Sequence, residues 1–413
     1  MRIEIRDVRV VDGLADTTRD HIDVTVDGDR ITAIKQHDPT RSGRPASDPS
    51  GAAATTIDGA GRTLLPGLID AHAHYTFDPT EGSIATILRR SDAEIVLAAA
   101  GHAATALRAG VTTARGAGSL RNLEVGLRDA IEAGHVPGPR IITAATAVGI
   151  TGGHGYQFGL EADDAAAFVT ATRRVVRDGA DVVKVIASEA AMLTTTGLAG
   201  NRIVSGRPEL TLDELRAVVE TASELGVKVM SHAQDAESVR RSAAAGVASV
   251  EHAWLADRPA LEALAASGAF LVPTMVVVDV NRTLGGMTPA QRERQDMIER
   301  RQRASTEAAL ELGIPIATGT DTGEVGVTAD MVWREIVLLH DHGATAMAAI
   351  KAATSAAARL LGLDRDLGTI EVGKLADLVI VDADPTTDLR RLARPVLVMK
   401  GGKIVVRDGL EPV

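Results

Sequence analysis

The chain has no cysteine among its 413 residues. Disulfides and thiolate metal sites are therefore excluded, and any metal must be held by His, Asp, Glu or a modified Lys. Aromatic residues are scarce, with two Trp, two Tyr and four Phe. No basic block stands out against a formal net charge of -11, which argues against nucleic acid as a main partner. No uncharged apolar run reaches the roughly 18 residues a membrane helix needs. The opening MRIEIRDVRVVDG alternates charged and apolar residues and lacks the apolar core of a signal peptide. These absences leave a soluble cytoplasmic protein with no nucleic acid and no membrane among its partners. A hydrophobic fraction of 45% supplies a large core.

Two textures organise the chain. Residues 1–63 read as short strands broken by Asp-Gly and Gly turns, around a Pro/Gly/Ser-rich loop, DPTRSGRPASDPSGAAA. Residues 366–413 return to that texture in GTIEVGKLADLVIVDAD and PVLVMKGGKIVVRDG, so both ends are expected to pair into one small β-sandwich domain. Residues 64–365 repeat another unit, a helical segment closed by Gly and followed by a short apolar strand, as in ELGVKVMSH, AAGVASVEH and ELGIPIATGTD. That unit is the pattern of βα repeats around a parallel sheet. Eight strands are expected, at Leu64–Ile69, Val111–Arg115, Arg140–Thr146, Val182–Ala187, Lys228–His232, Ser249–His252, Phe270–Met275 and Pro315–Asp321. Eight units close an α/β barrel of the (β/α)8 TIM type. An open doubly wound sheet is the alternative, but no Gly-rich dinucleotide fingerprint supports it.

In such barrels the chemistry lies at the C-terminal strand ends. His72 and His74 end strand one, spaced so that both point to one face. Strand four carries Lys184 between valines, strands five and six end at His232 and His252, and strand eight ends at Asp321. Each has an ordinary explanation alone: a satisfied polar side chain for a lone His, a turn residue for Asp321. Lys184 is harder to explain so, because lysine is almost never fully buried without a partner. Jointly, four His, one Lys and one Asp at the ends of five strands point to a metal site. Neutral imidazole and carboxylate suit zinc and similar divalent ions. An ammonium cannot ligate, but a lysine carboxylated by CO2 becomes an anionic oxygen donor able to bridge two metals. Two close cations would lower the pKa of a bridging water to give a metal-bridging hydroxide and polarise a carbonyl. Asp321 could then accept its proton.

The segments DAHAH, VVKVIAS, SHA, VEHAW and TGTD, with GTIEVGKLADLVIVD, resemble the metal-dependent amidohydrolase superfamily over nearly the whole chain. The resemblance implies one metal on His72, His74 and Asp321, a second on His232 and His252, and carboxylated Lys184 between them. The implied cofactors are two divalent metal ions, zinc first among them. PGLIDAHAHYTFDP, AGVTTARGAG and GGHGYQFG look most like the prolidase-like branch, whose members cleave dipeptides, N-acyl amino acids and related amides. The chain departs from that branch where a Gly pair usually follows the strand-four Ser, since Glu189 and Ala190 follow Ser188, and where Gln234 replaces a second His.

Five of the eight aromatics lie beside these motifs or in the loop after strand three: Tyr75, Phe77, Trp254, Tyr156 and Phe158. They are expected to wall an apolar substrate pocket. His154 is a candidate electrophile or hydrogen-bond donor to a substrate carbonyl, against a reading as a polar loop residue. Arg115 is expected either to clamp a substrate carboxylate or to sit in a structural ion pair. The charged segment TPAQRERQDMIERRQRASTEAALELG reads as a solvated helix face. The function expected is a metal-dependent hydrolase of an amide bond in a small-molecule substrate, an N-acyl amino acid or dipeptide-like compound. Hydrolysis of cyclic amides, carbamates or phosphotriesters is the alternative. A non-catalytic assembly protein is disfavoured by the full ligand set, and deamination by the bridging lysine. A homo-oligomer is left open.

Overall fold

The computed structural model describes residues 2–40, 55–80, 84–190 and 206–408, so most of the polar loop expected at 38–54 lies outside the described residues. Strands β1 (Arg2–Val10), β2 (Arg19–Asp27), β3 (Arg30–Gln36), β4 (Thr55–Asp58) and β5 (Arg62–Pro66) come first. The central part supplies β6 (Leu68–Ala73), β7 (Val111–Gly116), β8 (Arg140–Thr143), β9 (Val148–Gly149), β10 (Leu160–Glu161), β11 (Val182–Ile186), β12 (Lys228–Asp235), β13 (Ser249–Leu255) and β14 (Phe270–Val272). Strands β15 (Leu378–Asp382), β16 (Leu397–Lys400) and β17 (Lys403–Arg407) follow.

The two chain ends do meet, in one eight-stranded hydrogen-bonded array. The reason is β5, which pairs parallel with β1 and antiparallel with β15, so the N- and C-terminal strands form one hydrogen-bonded array. Period-2 alternation sends Ile3, Ile5, Val24, Ile57, Leu378, Ile380 and Leu397 into a single shared core. The strand expected at Leu64–Ile69 is split at Gly67 between that sheet and β6. Gly67 is required there, because a Cβ would collide with the Thr112 side chain.

The central strands run parallel and alternate with helices, as the repeat predicts. They form two sheets, β6-β7-β8 and β10-β9-β11-β12-β13-β14, rather than one closed eight-stranded ladder. Three of the expected strands are shortened or replaced by isolated bridges. The third stops at Thr143 and resumes as β9 beyond Ala145, whose backbone is left-handed at φ 57. The seventh stops at Val272, because Pro273 has no N–H to donate and Thr274 is left-handed at φ 48. The eighth, Pro315–Asp321, makes isolated bridges only. Its backbone nevertheless bonds both flanking strands. Leu271 N–H donates to Pro315 O at 2.9 Å, Ala71 N–H to Thr318 O at 2.8 Å, and Asp321 N–H to His72 O at 2.7 Å. One of its N–H groups, Thr320, goes to a side chain, Asp70 Oδ1, at 3.0 Å.

Glycines in left-handed conformation close the helices Ala236–Ala245 and Arg258–Ser267, at Gly246 (φ 88) and Gly268 (φ 74). The helix Pro289–Glu311 is not charged all round. Gln295, Ile298, Gln302 and Ser305 are buried on one side, a polar stripe that reaches the candidate site. Among the described residues no helix is long and apolar enough to cross a membrane.

Candidate metal centre and active site

β6 delivers His72, and His74 follows it by one position past the strand's end. Asp70 sets His72 in place, while the His74 N–H donates to Thr322 O at 2.8 Å. Asp70 Oδ1 accepts the N–H of His72 (3.1 Å) and of Thr320 (3.0 Å), and its Oδ2 accepts the Thr320 hydroxyl at 2.6 Å. Burial pushes this carboxyl up to about 6 against those bonds. The same bonds tie β6 to the segment carrying Asp321, itself left-handed at φ 59. Asp321 Oδ1 then lies 3.3 Å from His72 Nε2 and 3.2 Å from His74 Nε2. The ligand atoms of His72, His74 and Asp321 all fall within 4.8 Å of one another.

Lys184 enters from the middle of β11 and is buried, with Nζ 3.5 Å from His72 Nε2. β12 and β13 bring His232 and His252, whose rings lie 4.5 Å apart between centroids, and His252 is 5.0 Å from His72. All six side chains expected around the metals thus converge in one buried cluster. His154, half-buried in the loop before β10, faces the His232 ring at 4.7 Å. Its N–H donates to the Glu209 carboxylate at 2.9 Å, which holds the loop.

The outer nitrogens of three histidines are already engaged. His72 Nδ1 lies 2.7 Å from Glu251 Oε2, His74 Nδ1 2.8 Å from Gly118 O, and His252 Nδ1 2.8 Å from Thr274 Oγ1. Glu251 and the Gly118 carbonyl can only accept, so His72 and His74 each carry a proton on Nδ1 and turn Nε2 inward, towards Asp321 Oδ1. His232 Nε2 is buried and has no hydrogen-bond partner among the described residues. Burial drives the pKa of His232 and His252 well below the usual imidazole value, helped by neighbouring positive charge. Burial also lowers Lys184 to about 8 and His154 to about 4. Asp321 moves the other way from what burial alone would give. The charge and hydrogen bond of His72, with His74 and His252, hold it well below the carboxylate range. Imidazoles that turn a ring nitrogen inward, an ionised carboxylate and an orphaned buried nitrogen form a donor set that fits divalent cations of the zinc type. A further carboxyl, Glu324, sits half-buried on the turn after Asp321, and burial and the Asp321 charge raise it to about 7.

Arg115 is not available to a substrate. It is buried, donating to Ala71 O (2.6 Å), Ser249 Oγ (3.0 Å) and the Glu251 carboxylate (3.0 and 3.1 Å). The ion-pair reading of Arg115 is the right one. Burial works against the Glu251 charge, but Arg115 and the His72 hydrogen bond bring its pKa to about 2. Arg115 therefore keeps ionised the carboxylate that orients His72. The aromatics are divided in depth. Tyr75 is 1% exposed and packs in the main core, and Trp254 is 2% exposed, with its ring 5.4 Å from that of His252 and Nε1 donating to Pro273 O at 2.8 Å. Phe77 stacks on His74 at 4.7 Å and meets Phe158 edge-on at 5.0 Å, while Tyr156 is 38% exposed. Glu251, Thr274 and Asp70 were missed as site residues. Glu251 carried a signal equal to that of Lys184, a charge inside the apolar strand SVEHAW.

The amidohydrolase family model matches residues 63–405, most of the chain. The chain belongs to the amidohydrolase family. It is a hydrolase of that family, and its solved neighbours agree with the prolidase-like resemblance. One is an Xaa-Pro dipeptidase with bound methionine in its active site, 28% identical, with a TM-score of 0.86 over 98% of this chain and 100% of that one. Another is a putative prolidase from Bifidobacterium longum, 30% identical, with a TM-score of 0.81 over 100% of this chain and 96% of that one. Among curated proteins, the ochratoxinase of Aspergillus niger is 27% identical over 388 residues, covering 84% of this chain and 77% of its own. Family and neighbours imply an α/β barrel of the TIM type beside a β-rich domain.

Proposed function

We propose that this amidohydrolase is a hydrolase dependent on two divalent cations that cleaves an amide bond in a small molecule, with an N-acyl amino acid or dipeptide-like compound as substrate. The reading takes residues 64–365 as the catalytic barrel, with segment 315–322 in the eighth strand position, and residues 1–63 and 366–413 as the small domain. The observation that carries it is the set of inward imidazole nitrogens. His72 and His74 have Nδ1 held by acceptors, and His232 Nε2 is buried without a partner. Burying such an atom unsatisfied is costly, so a ligand there is favoured.

His72, His74 and Asp321 would hold one cation, His232 and His252 the other, with carboxylated Lys184 shared. When bound, the cations supply a water of lowered pKa and polarisation of the scissile carbonyl. The chain's own residues do the rest. Lys184, lowered to about 8 by burial, has an appreciable neutral fraction near pH 7. That amine can add CO2 and lose a proton to give the carbamate. Asp321 accepts the proton of the attacking water and delivers it to the leaving nitrogen as the C–N bond breaks. His154 stays neutral because burial lowers it to about 4, and it donates an N–H to the carbonyl oxygen as negative charge develops there. Phe77 and Phe158 give the substrate its apolar wall.

The test is a substrate panel on protein purified without chelator: N-acyl amino acids, dipeptides, lactams, carbamates and phosphotriesters. The acyclic amides are expected to show the highest kcat/KM, with release of free amine. Carbamates or phosphotriesters turning over fastest would replace the amide reading with the alternative.

A further inference from the structure

The corner made by the ends of β13 and β14 holds three residues in left-handed backbone: His252 (φ 71), Ala253 (φ 50) and the β-branched Thr274 (φ 48). Non-Gly residues keep such conformations only where the surroundings impose them. Three side chains hydrogen-bond to the backbone of this corner. Ser305 Oγ, from the buried stripe of helix Pro289–Glu311, donates to Ala253 O at 2.8 Å. Trp254 Nε1 donates to Pro273 O at 2.8 Å. Glu335, fully buried on helix Val332–Asp341, accepts Met275 N–H on Oε1 (2.9 Å) and Val276 N–H on Oε2 (2.8 Å). Those are the first two N–H groups of helix Met275–Thr283, which have no partner within the helix. Thr274, directly before them, places Oγ1 2.8 Å from His252 Nδ1.

We infer that Glu335 is a positioning residue for the metal centre: by holding the Met275 and Val276 N–H groups it keeps Thr274 in the conformation that takes the Nδ1 proton of His252 and leaves Nε2 to the cation. The inference rests on the proposed metal reading. It also gives the buried Trp254 a place, as a second brace on the Pro273–Thr274 peptide. Nothing in the arrangement needs Glu335 to touch cation or substrate. Its effect passes through one hydroxyl.

That single route makes the inference testable with Zn(II) as probe. Chelator-stripped protein is titrated against a chromophoric competitor, and the ring nitrogens of His252 are followed by NMR. Thr274→Val and Glu335→Gln are each expected to weaken one of the two Zn(II) equivalents by about 10–100-fold, the usual effect of removing a ligand's outer partner, and to shift the His252 nitrogens. The other equivalent should hold. The double variant should be no weaker than Thr274→Val alone, and Thr274→Ser should restore affinity. Unchanged Zn(II) affinity in Glu335→Gln despite a lowered Tm, or losses that multiply in the double variant, would overturn the relay. If Glu335→Gln does not fold, unweakened binding by Thr274→Val overturns it equally. Wild-type protein that binds no Zn(II) would overturn the metal reading as well, whereas normal wild-type binding with indifferent variants overturns the relay alone.

Discussion

Asp321→Asn is expected to lower kcat by about 10²–10⁴-fold, the range for losing a positioned general acid–base, with a smaller change in KM and at least one cation retained. Asparagine keeps the size and one oxygen donor but cannot take a proton. Asp321 is suited to the role by its surroundings. Its Oδ1 is within 3.3 Å of two histidine nitrogens, and burial, which would raise its pKa, is outweighed by His72 and His74. It is therefore ionised at neutral pH, the form that can take a proton. Steady-state kinetics beside cation content decide the matter. Near-wild-type kcat with full cation content would move the proton to another group, with His154 the next candidate.

The second large effect is expected at Lys184. Lys184→Ala should lose bound cation and activity together, with partial recovery in added acetate or propionate, which can occupy the space and supply the oxygens. Two features motivate this. The ammonium is buried beside the histidine cluster, a poor place for a positive charge, and burial already lowers its pKa to about 8. Carboxylation replaces that charge by a negative one where cations would sit. Labelled CO2 should accordingly give a carbamate carbon signal in wild-type protein that is absent from the variant. A structure with both cations bound and an ordered, unmodified lysine would end the claim.

The parts of this protein legible in the sequence are those that depend on local pattern. Helix–Gly–strand repeats gave the α/β layout, because a left-handed C-terminal residue such as Gly246 or Gly268 is a local requirement. The side chains His72, His74, Lys184, His232, His252 and Asp321 could be named from polar residues at the ends of apolar runs, and they do come together. What could not be read depends on contacts between distant segments. Arg115 could be a substrate clamp or half of an ion pair, and the sequence could not decide because its partner, Glu251, is 136 residues away. The bond from Trp254 Nε1 to Pro273 O and the core packing of Tyr75 could not be read either, because proximity in sequence to a ligand does not say which way a ring points. Strand eight was placed by its apolar run, but the bond from Thr320 N–H to Asp70 and the left-handed Asp321 interrupt any ladder. The single sheet at the chain ends follows from β5 bonding to both β1 and β15, a pairing that no local pattern encodes.

The most direct test of the account is cation dependence measured together with hydrolysis. Protein stripped by chelator should hydrolyse none of the acyclic amides that the native protein cleaves. Stepwise addition of Zn(II) should restore activity and saturate at two equivalents per chain. Undiminished amide hydrolysis by verified cation-free protein would contradict the account outright.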